Sequence, residues 1–299
     1  METRHRRSNW IKSACYDATG LVPLSLIKSV SRARWRHPWL KRWLEWGADA
    51  LRNQDGVIKH GVCQGLRFNT GRSAAGFLLG TSEPTIQTVL QMLVRPGTVV
   101  YDIGANVGFL TIVAAKLTGS SGRVFAFEPL ADNIRCLEHN IRLNGFDYVD
   151  VTECALSDRD GTALFLISRS PTWGELASVS GKVEDEIGRR EVTVCRLDSI
   201  VQQNSLPLPN LIKIDVEGAE AMVLDGALNT IQKARPILLI ELHGTNAVIA
   251  EKLNALGYVS TVIGGGRSIV ESHWNSRVVA FPAPCPELDR IQNGALEAQ

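Results

Sequence analysis

The sequence predicts an α/β protein built on a doubly wound, mostly parallel sheet, and three observations carry that expectation. A β-branched apolar run, Val99 to Ile103, passes through a small-residue turn, Gly104 to Gly108, into an apolar helical stretch from Phe109 to Leu117. Strand-like and helix-like stretches alternate up to Cys154 and again after Leu211, as right-handed βαβ units require. Four of the strand-like runs end at or near an acid (Asp102, Glu128, Asp215 and Glu241), and in an open sheet such ends gather along one crevice.

In chain order, Gly56 to Asn69 has the glycine spacing of a β-hairpin. Thr81 or Ser82 can cap a helix from Pro84 to Leu93, which Arg95-Pro96-Gly97 ends. After the central strand, turn and helix come a strand over Arg123 to Glu128, a helix over Leu130 to Leu143 and a strand over Val149 to Cys154. Residues 158–197 break the rhythm. Thr162 to Ile167 and Glu191 to Arg196 read as a hairpin, and Ser168 to Arg190 between them is polar and aperiodic, with Trp173 and Glu175 offered for acceptor recognition. The winding resumes with a strand at Leu211 to Val216, a helix at Ala219 to Leu228, a strand at Ile237 to Leu242 and a helix at Asn246 to Leu256. Closing strands follow at Tyr258 to Ile263 and Arg277 to Phe281. The expected organisation is a helical extension over 1–55, a main domain over 56–285 with 168–190 as substrate loop, and a loosely held tail over 286–299.

The 299 residues, 44% hydrophobic and 21% charged with net charge +1, give no general reason to expect nucleic acid. No apolar run is long enough to cross a bilayer, and the basic N-terminus lacks the apolar segment of a signal peptide. Six cysteines without a C-x-x-C pair read as reduced thiols in a cytoplasmic protein. Residues 1–52 carry eleven Lys/Arg against four Asp/Glu, and Trp39, Trp43 and Trp46 recur on one helical face. That segment predicts a docking helix, packed on the main domain or on a second copy in a homodimer. The alternative is a peripheral contact with an anionic membrane surface or an acidic partner.

The turn selects the ligand. A pyrophosphate site wants G-x-G-x-x-G, with free N–H groups at a helix N-terminus. Here the turn reads G-x-N-x-G, and Asp102 stands two residues before its first glycine. A carboxylate repels phosphate and attracts a cation, which fits S-adenosylmethionine, with its ammonium and sulfonium and no phosphate. Glu128, 26 residues on, suits a ribose diol; Pro129 would wall the adenine, and Ala155 and Leu156 would meet the base. Lys213, Asp215 and Glu217 alternate onto one side of a central strand. Asp215 is expected near the donor methionine and Glu217 at the acceptor, against a plain Lys213–Asp215 ion pair. Glu241 and His243 end the next strand, and His243 could take a hydroxyl proton. Asp215, Glu217, Glu241 and His243 could instead hold a divalent metal, but no metal is assigned.

With these residues in view, the chain resembles the FkbM family of S-adenosylmethionine-dependent methyltransferases. The resemblance rests on YDIGANVGFLT (101–111), FEP (127–129), ALSDRDG (155–161), KIDVEGAEAMVLDG (213–226) and IELHG (240–244). The Glu83 region leading to Arg95-Pro96-Gly97 fits the family's approach to its first motif and joins the expected cofactor contacts. The resemblance implies the class I methyltransferase (Rossmann-like) fold, a seven-stranded sheet whose last strand is antiparallel. It implies O-methylation of a hydroxyl on a small-molecule acceptor, a sugar or natural product. It makes Asp102, Gly104, Asn106, Gly108 and Glu128 cofactor contacts. It fixes no base, so the candidates remain Glu217, His243 and Glu241. Two rivals stay open: a nucleotide-dependent dehydrogenase, which the missing G-x-G-x-x-G opposes, and a non-catalytic module that binds the cofactor and recruits a partner through residues 1–55.

Overall fold

A computed structural model describes residues 53–73, 76–168, 174–183, 185–265 and 268–284. The Trp-rich segment, Trp173 and the C-terminal tail lie outside the described residues, and so do the expectations made for them. The chain divides into two compact units at Pro84 and Thr85. The first contains an antiparallel hairpin, β1 (Asp55–Val57) with β2 (Arg67–Asn69), and a short helix, α1 (Gly76–Leu79). Within it the Phe68 and Phe77 rings meet edge to face at 5.9 Å. Helix α2 (Pro84–Leu93) starts at the division.

The second unit is the wound sheet. Its elements are β3 (Val99–Ile103), α3 (Phe109–Thr118), β4 (Arg123–Glu128), α4 (Ala131–Leu143) and β5 (Val149–Glu153), then β6 (Ala155–Leu156), β7 (Gly161–Ser168), β8 (Gly174–Leu176), β9 (Glu186–Cys195) and α5 (Leu197–Gln203). They continue with β10 (Leu211–Ile214), α6 (Glu220–Gly226), α7 (Leu228–Ala234), β11 (Ile237–Glu241), α8 (Asn246–Ala255), β12 (Tyr258–Val262) and β13 (Arg277–Pro282). Seven strands form one sheet in the order β12-β13-β11-β10-β3-β4-β5. Every pairing from β5 to β11 is parallel, and β13 runs antiparallel between β11 and β12. This is the seven-stranded class I arrangement with its antiparallel last strand. The central strands are buried along almost their whole length, which is why they read as unbroken apolar runs. Among the described residues no helix is long and apolar enough to cross a membrane.

The insertion differs from its reading. Ser168 to Arg190 is not all loop: β8 pairs with β7, and β9 begins at Glu186, so Arg190 lies opposite Phe165 and Arg189 opposite Leu166. The pattern concealed this because five of the first six residues of β9 are exposed and the other, Gly188, is half-buried, so its ladder rests on backbone pairing without an apolar face. Strand β6 adds a fourth strand to this second sheet. The helix expected over Ala219 to Leu228 is two, α6 and α7, broken at Ala227, and α5 was not foreseen.

Candidate active site

Two glycines shape the turn after β3, and packing demands both. A Cβ on Gly104 (φ 76°) would sit 1.8 Å from the Asp215 carbonyl oxygen, and one on Gly108 (φ 88°) 2.3 Å from a Leu137 methyl carbon. What they admit is neighbouring protein, the close approach of the β10 loop and of α4. Every amide of the turn is engaged. Gly104 and Ala105 donate to the Phe127 carbonyl (3.0 Å each), Asn106 to Glu128 Oε2 (2.9 Å), Val107 to Asn106 Oδ1 (2.7 Å) and Gly108 to the Ala105 carbonyl (2.9 Å). A phosphate needs such donors free. The turn offers it none, which removes the structural basis of the dehydrogenase reading.

Asp102 is not a bare charge at the corner. It is 2% exposed. Its Oδ2 accepts from Thr111 Oγ1 (2.6 Å), and Lys213 Nζ stands 3.1 Å from Oδ1. The same ammonium donates to the Gly104 carbonyl (2.9 Å) and lies 3.5 Å from Asp215 Oδ2. Burial alone would lower the Lys213 pKa; the Asp102 and Asp215 carboxylates outweigh it and hold it above the ordinary lysine range. The expected Lys213–Asp215 pair is therefore present, but its tighter partner is Asp102. Asp102, expected to face a cationic cofactor, is committed to Lys213, and Asp215, 29% exposed at its side chain, is the accessible acid.

Glu128 ties the two turns together. Oε2 accepts from the Asn106 amide; Oε1 accepts from the Leu130 amide (3.1 Å) and Asn133 Nδ2 (2.9 Å). Burial pushes its carboxyl up, and these hydrogen bonds pull it back. Each carboxylate oxygen accepts about two bonds, so one position remains, on Oε2. Pro129, next in the chain, is half-buried. Ala155 and Leu156 lie in β6, paired with Val194 and Cys195; the Leu156 side chain is 2% exposed inside the main core, which leaves its backbone, not its side chain, to meet a base.

At the ends of β10 and β11 the chemistry changes. Beyond Ile214 the backbone turns through left-handed conformations at Glu217 (φ 51°) and Gly218 (φ 97°). Backbone of this kind in a non-glycine residue is costly and collects at functional sites. It aims Glu217 Oε2 at His243 Nε2, 3.3 Å away. His243 Nδ1 lies 2.9 Å from Glu220 Oε1, and Glu220, fully buried, also accepts from Thr245 Oγ1 (2.8 Å) and the Gly218 amide (2.9 Å). Glu220 thus sets both the imidazole and the strained turn. It was missed in the sequence, where it reads as an ordinary first-turn acid. Burial works against the imidazolium, but the Glu220 hydrogen bond and the surrounding carboxylates raise the His243 pKa to about 9. Burial raises Glu217 to about 8 against the opposing pull of His243. A histidine so placed holds its proton more tightly than an ordinary imidazole, which counts against its expected role as the proton acceptor. Glu241 is corrected too: Arg277, opposite it on β13, holds both its oxygens at 3.0 and 3.2 Å. Asp215, Glu217 and His243 present atoms within 4.8 Å of one another, a spacing a hard cation could use, with Glu241 outside the group.

A family model for the methyltransferase FkbM domain matches residues 102–260, just over half of the chain. The chain belongs to this family. Among curated relatives, the hexuronic acid methyltransferase AglP of Haloferax volcanii is 31% identical over 182 residues, covering 59% of this chain and 71% of that protein. The 2-O-methyltransferase NoeI of Sinorhizobium fredii is 27% identical over 192 residues (60% and 77%). The 31-O-demethyl-FK506 methyltransferase FkbM of Streptomyces tacrolimicus is 26% identical over 202 residues (56% and 75%). The protein is an S-adenosylmethionine-dependent methyltransferase, and the phosphate-free turn fits that cofactor.

Proposed function

We propose that this FkbM-domain protein methylates a hydroxyl oxygen of a small-molecule acceptor of sugar or natural-product type, with Glu217 as the base. The observation that carries the reading is the Glu217–His243–Glu220 chain at the mouth of the crevice. A carboxylate acceptor is already a nucleophile and needs no base; a hydroxyl must lose a proton as its oxygen bonds to carbon. Glu217 is a strong proton acceptor for a carboxylate because burial raises its pKa. Cationic His243, fixed by Glu220, offsets the negative charge beside it.

S-adenosylmethionine, when bound, supplies an electrophilic methyl group. The residues proposed to hold it are those around the first two turns. Glu128 has one acceptor position left for a ribose hydroxyl, Pro129 offers an apolar wall, and Asp215 presents an accessible carboxylate to positive charge. Asp102, Gly104, Asn106 and Gly108 act by giving the turn its shape. Glu83, expected among the cofactor contacts, lies in the first unit, with left-handed backbone (φ 49°). Within the proposed acceptor loop, 168–190, the structure describes Ser168, 174–183 and 185–190. Val179 lies against Gly218, where an added Cβ would meet its methyl carbon at 2.7 Å, beside the turn that carries Glu217.

The test is transfer of isotopically labelled methyl to candidate acceptors, followed by base treatment of the product. An ether keeps its label in base; an ester releases it as methanol. Label lost in base, or unchanged turnover in Glu217→Gln, would overturn the reading.

A further inference from the structure

A tryptophan that the motifs do not include stands beside His243. Trp274, between β12 and β13, is 49% exposed, and its ring centre lies 6.5 Å from that of His243. The His273 ring flanks it at 5.7 Å. Its loop is held in place. The Trp274 carbonyl accepts from the Gly244 amide at 2.9 Å, one residue beyond His243. Asn246 Nδ2 lies within 3.2 Å of the carbonyls of Ile269, Ser272 and His273 and of the Ser272 hydroxyl. The exposed half of this aromatic ring, on a braced loop, gives a bound ring a flat apolar surface at little conformational cost.

The charge around it restricts what can lie there. With the Glu241–Arg277 pair and the proton-holding Glu217 set aside, Asp215, Glu220 and Asp102 face the cations Lys213 and His243, so these residues leave an excess of carboxylate. A second anion brought to this place meets unscreened repulsion, whereas an ammonium gains from the carboxylates and from the indole face.

We infer that Trp274 is the stacking platform of the acceptor site, and that the ring it takes is uncharged or bears an amine, not a carboxylate. This rests on the hydroxyl-acceptor reading above. It is tested on the full chain saturated with S-adenosylhomocysteine, using methyl glycosides of glucosamine, glucose and glucuronic acid, which share a ring and differ in charge. Binding is read from the fluorine resonance of Trp274 in 5-fluorotryptophan-labelled protein, assigned by loss of that signal in Trp274→Phe. The neutral and amino glycosides should shift the resonance and bind at least about tenfold more tightly than the glucuronide. By ligand-observed saturation transfer, Trp274→Ala should weaken them about tenfold and Trp274→Phe only slightly, with S-adenosylhomocysteine affinity unchanged in both. A glucuronide bound as well as the others, a Trp274 resonance that no glycoside moves, or full binding in Trp274→Ala would each overturn the inference. Failure of the wild type to bind S-adenosylmethionine, or to methylate any hydroxyl, would count against the broader reading instead.

Discussion

The two halves of the crevice are built on opposite electrostatic plans. On the β3–β4 side, Asp102 is buried with Thr111 and Lys213, Glu128 accepts three hydrogen bonds, and every amide from Gly104 to Gly108 has an acceptor. On the β10–β11 side, carboxylates outnumber cations, the backbone at Glu217 is left-handed, and Glu217 and His243 both hold protons more tightly than usual. The first side is satisfied and therefore stiff; it holds a ligand's shape. The second has unspent affinity for positive charge, which suits a place where a proton must arrive during reaction.

The sharpest way to break this contrast is Glu217→Gln. It should lower kcat about 10²- to 10⁴-fold and leave S-adenosylmethionine affinity within about twofold, by single-turnover kinetics and calorimetry. Comparable losses in both would mean the two halves are not separable. Next in size, Lys213→Met strands the buried Asp102 charge and should destabilise the fold by about 3–5 kcal/mol in denaturant unfolding. Adding Asp102→Asn should restore much of that; a neutral single variant would show that the β3 side is not held by its ion pair.

Acidity separates the halves more gently. Glu217 must be ionised to act and His243 cationic to support it, so kcat/KM should rise as pH approaches about 8 and fall beyond about 9. His243 has a raised folded-state pKa, so the stability it contributes is complete below its ordinary value of 6.5 and is lost as pH climbs through about 9. Thermal melts across that range should decline, and a His243→Gln variant should flatten the decline. The smallest effect belongs to Asp215→Asn. S-adenosylmethionine carries a sulfonium that S-adenosylhomocysteine lacks, so the ratio of their affinities should fall about three- to tenfold, measured by calorimetry. An unchanged ratio would place Asp215 away from the sulfur.

Legibility followed the same divide. Strand β4 could be read to the residue, and α2 and β3 likewise, because a strand buried on both faces is a bare apolar run and α2 opens on Pro84. The acids at the strand ends were legible as a set, since an open sheet puts such ends together. Apart from the Lys213–Asp215 pair, their partners were not. Arg277 meets Glu241 only through the antiparallel pairing of β13 with β11, and Glu220 meets His243 across 23 residues. Strand β9 stayed hidden because its first half has no apolar face, and Trp274 because a single aromatic in a loop carries no pattern.

By itself the sequence determined the wound sheet, the phosphate-free turn, the cofactor it admits and the family. Each of these is written locally, in apolar periodicity or in short runs of residues whose backbone geometry is their own. The tertiary structure decided which carboxylates are free to act. It buried Asp102 against Lys213, paired Glu241 with Arg277, set His243 between Glu217 and Glu220, and left Asp215 accessible. Charge and proton affinity depend on burial and on neighbours distant in the chain, and only the folded arrangement supplies those neighbours.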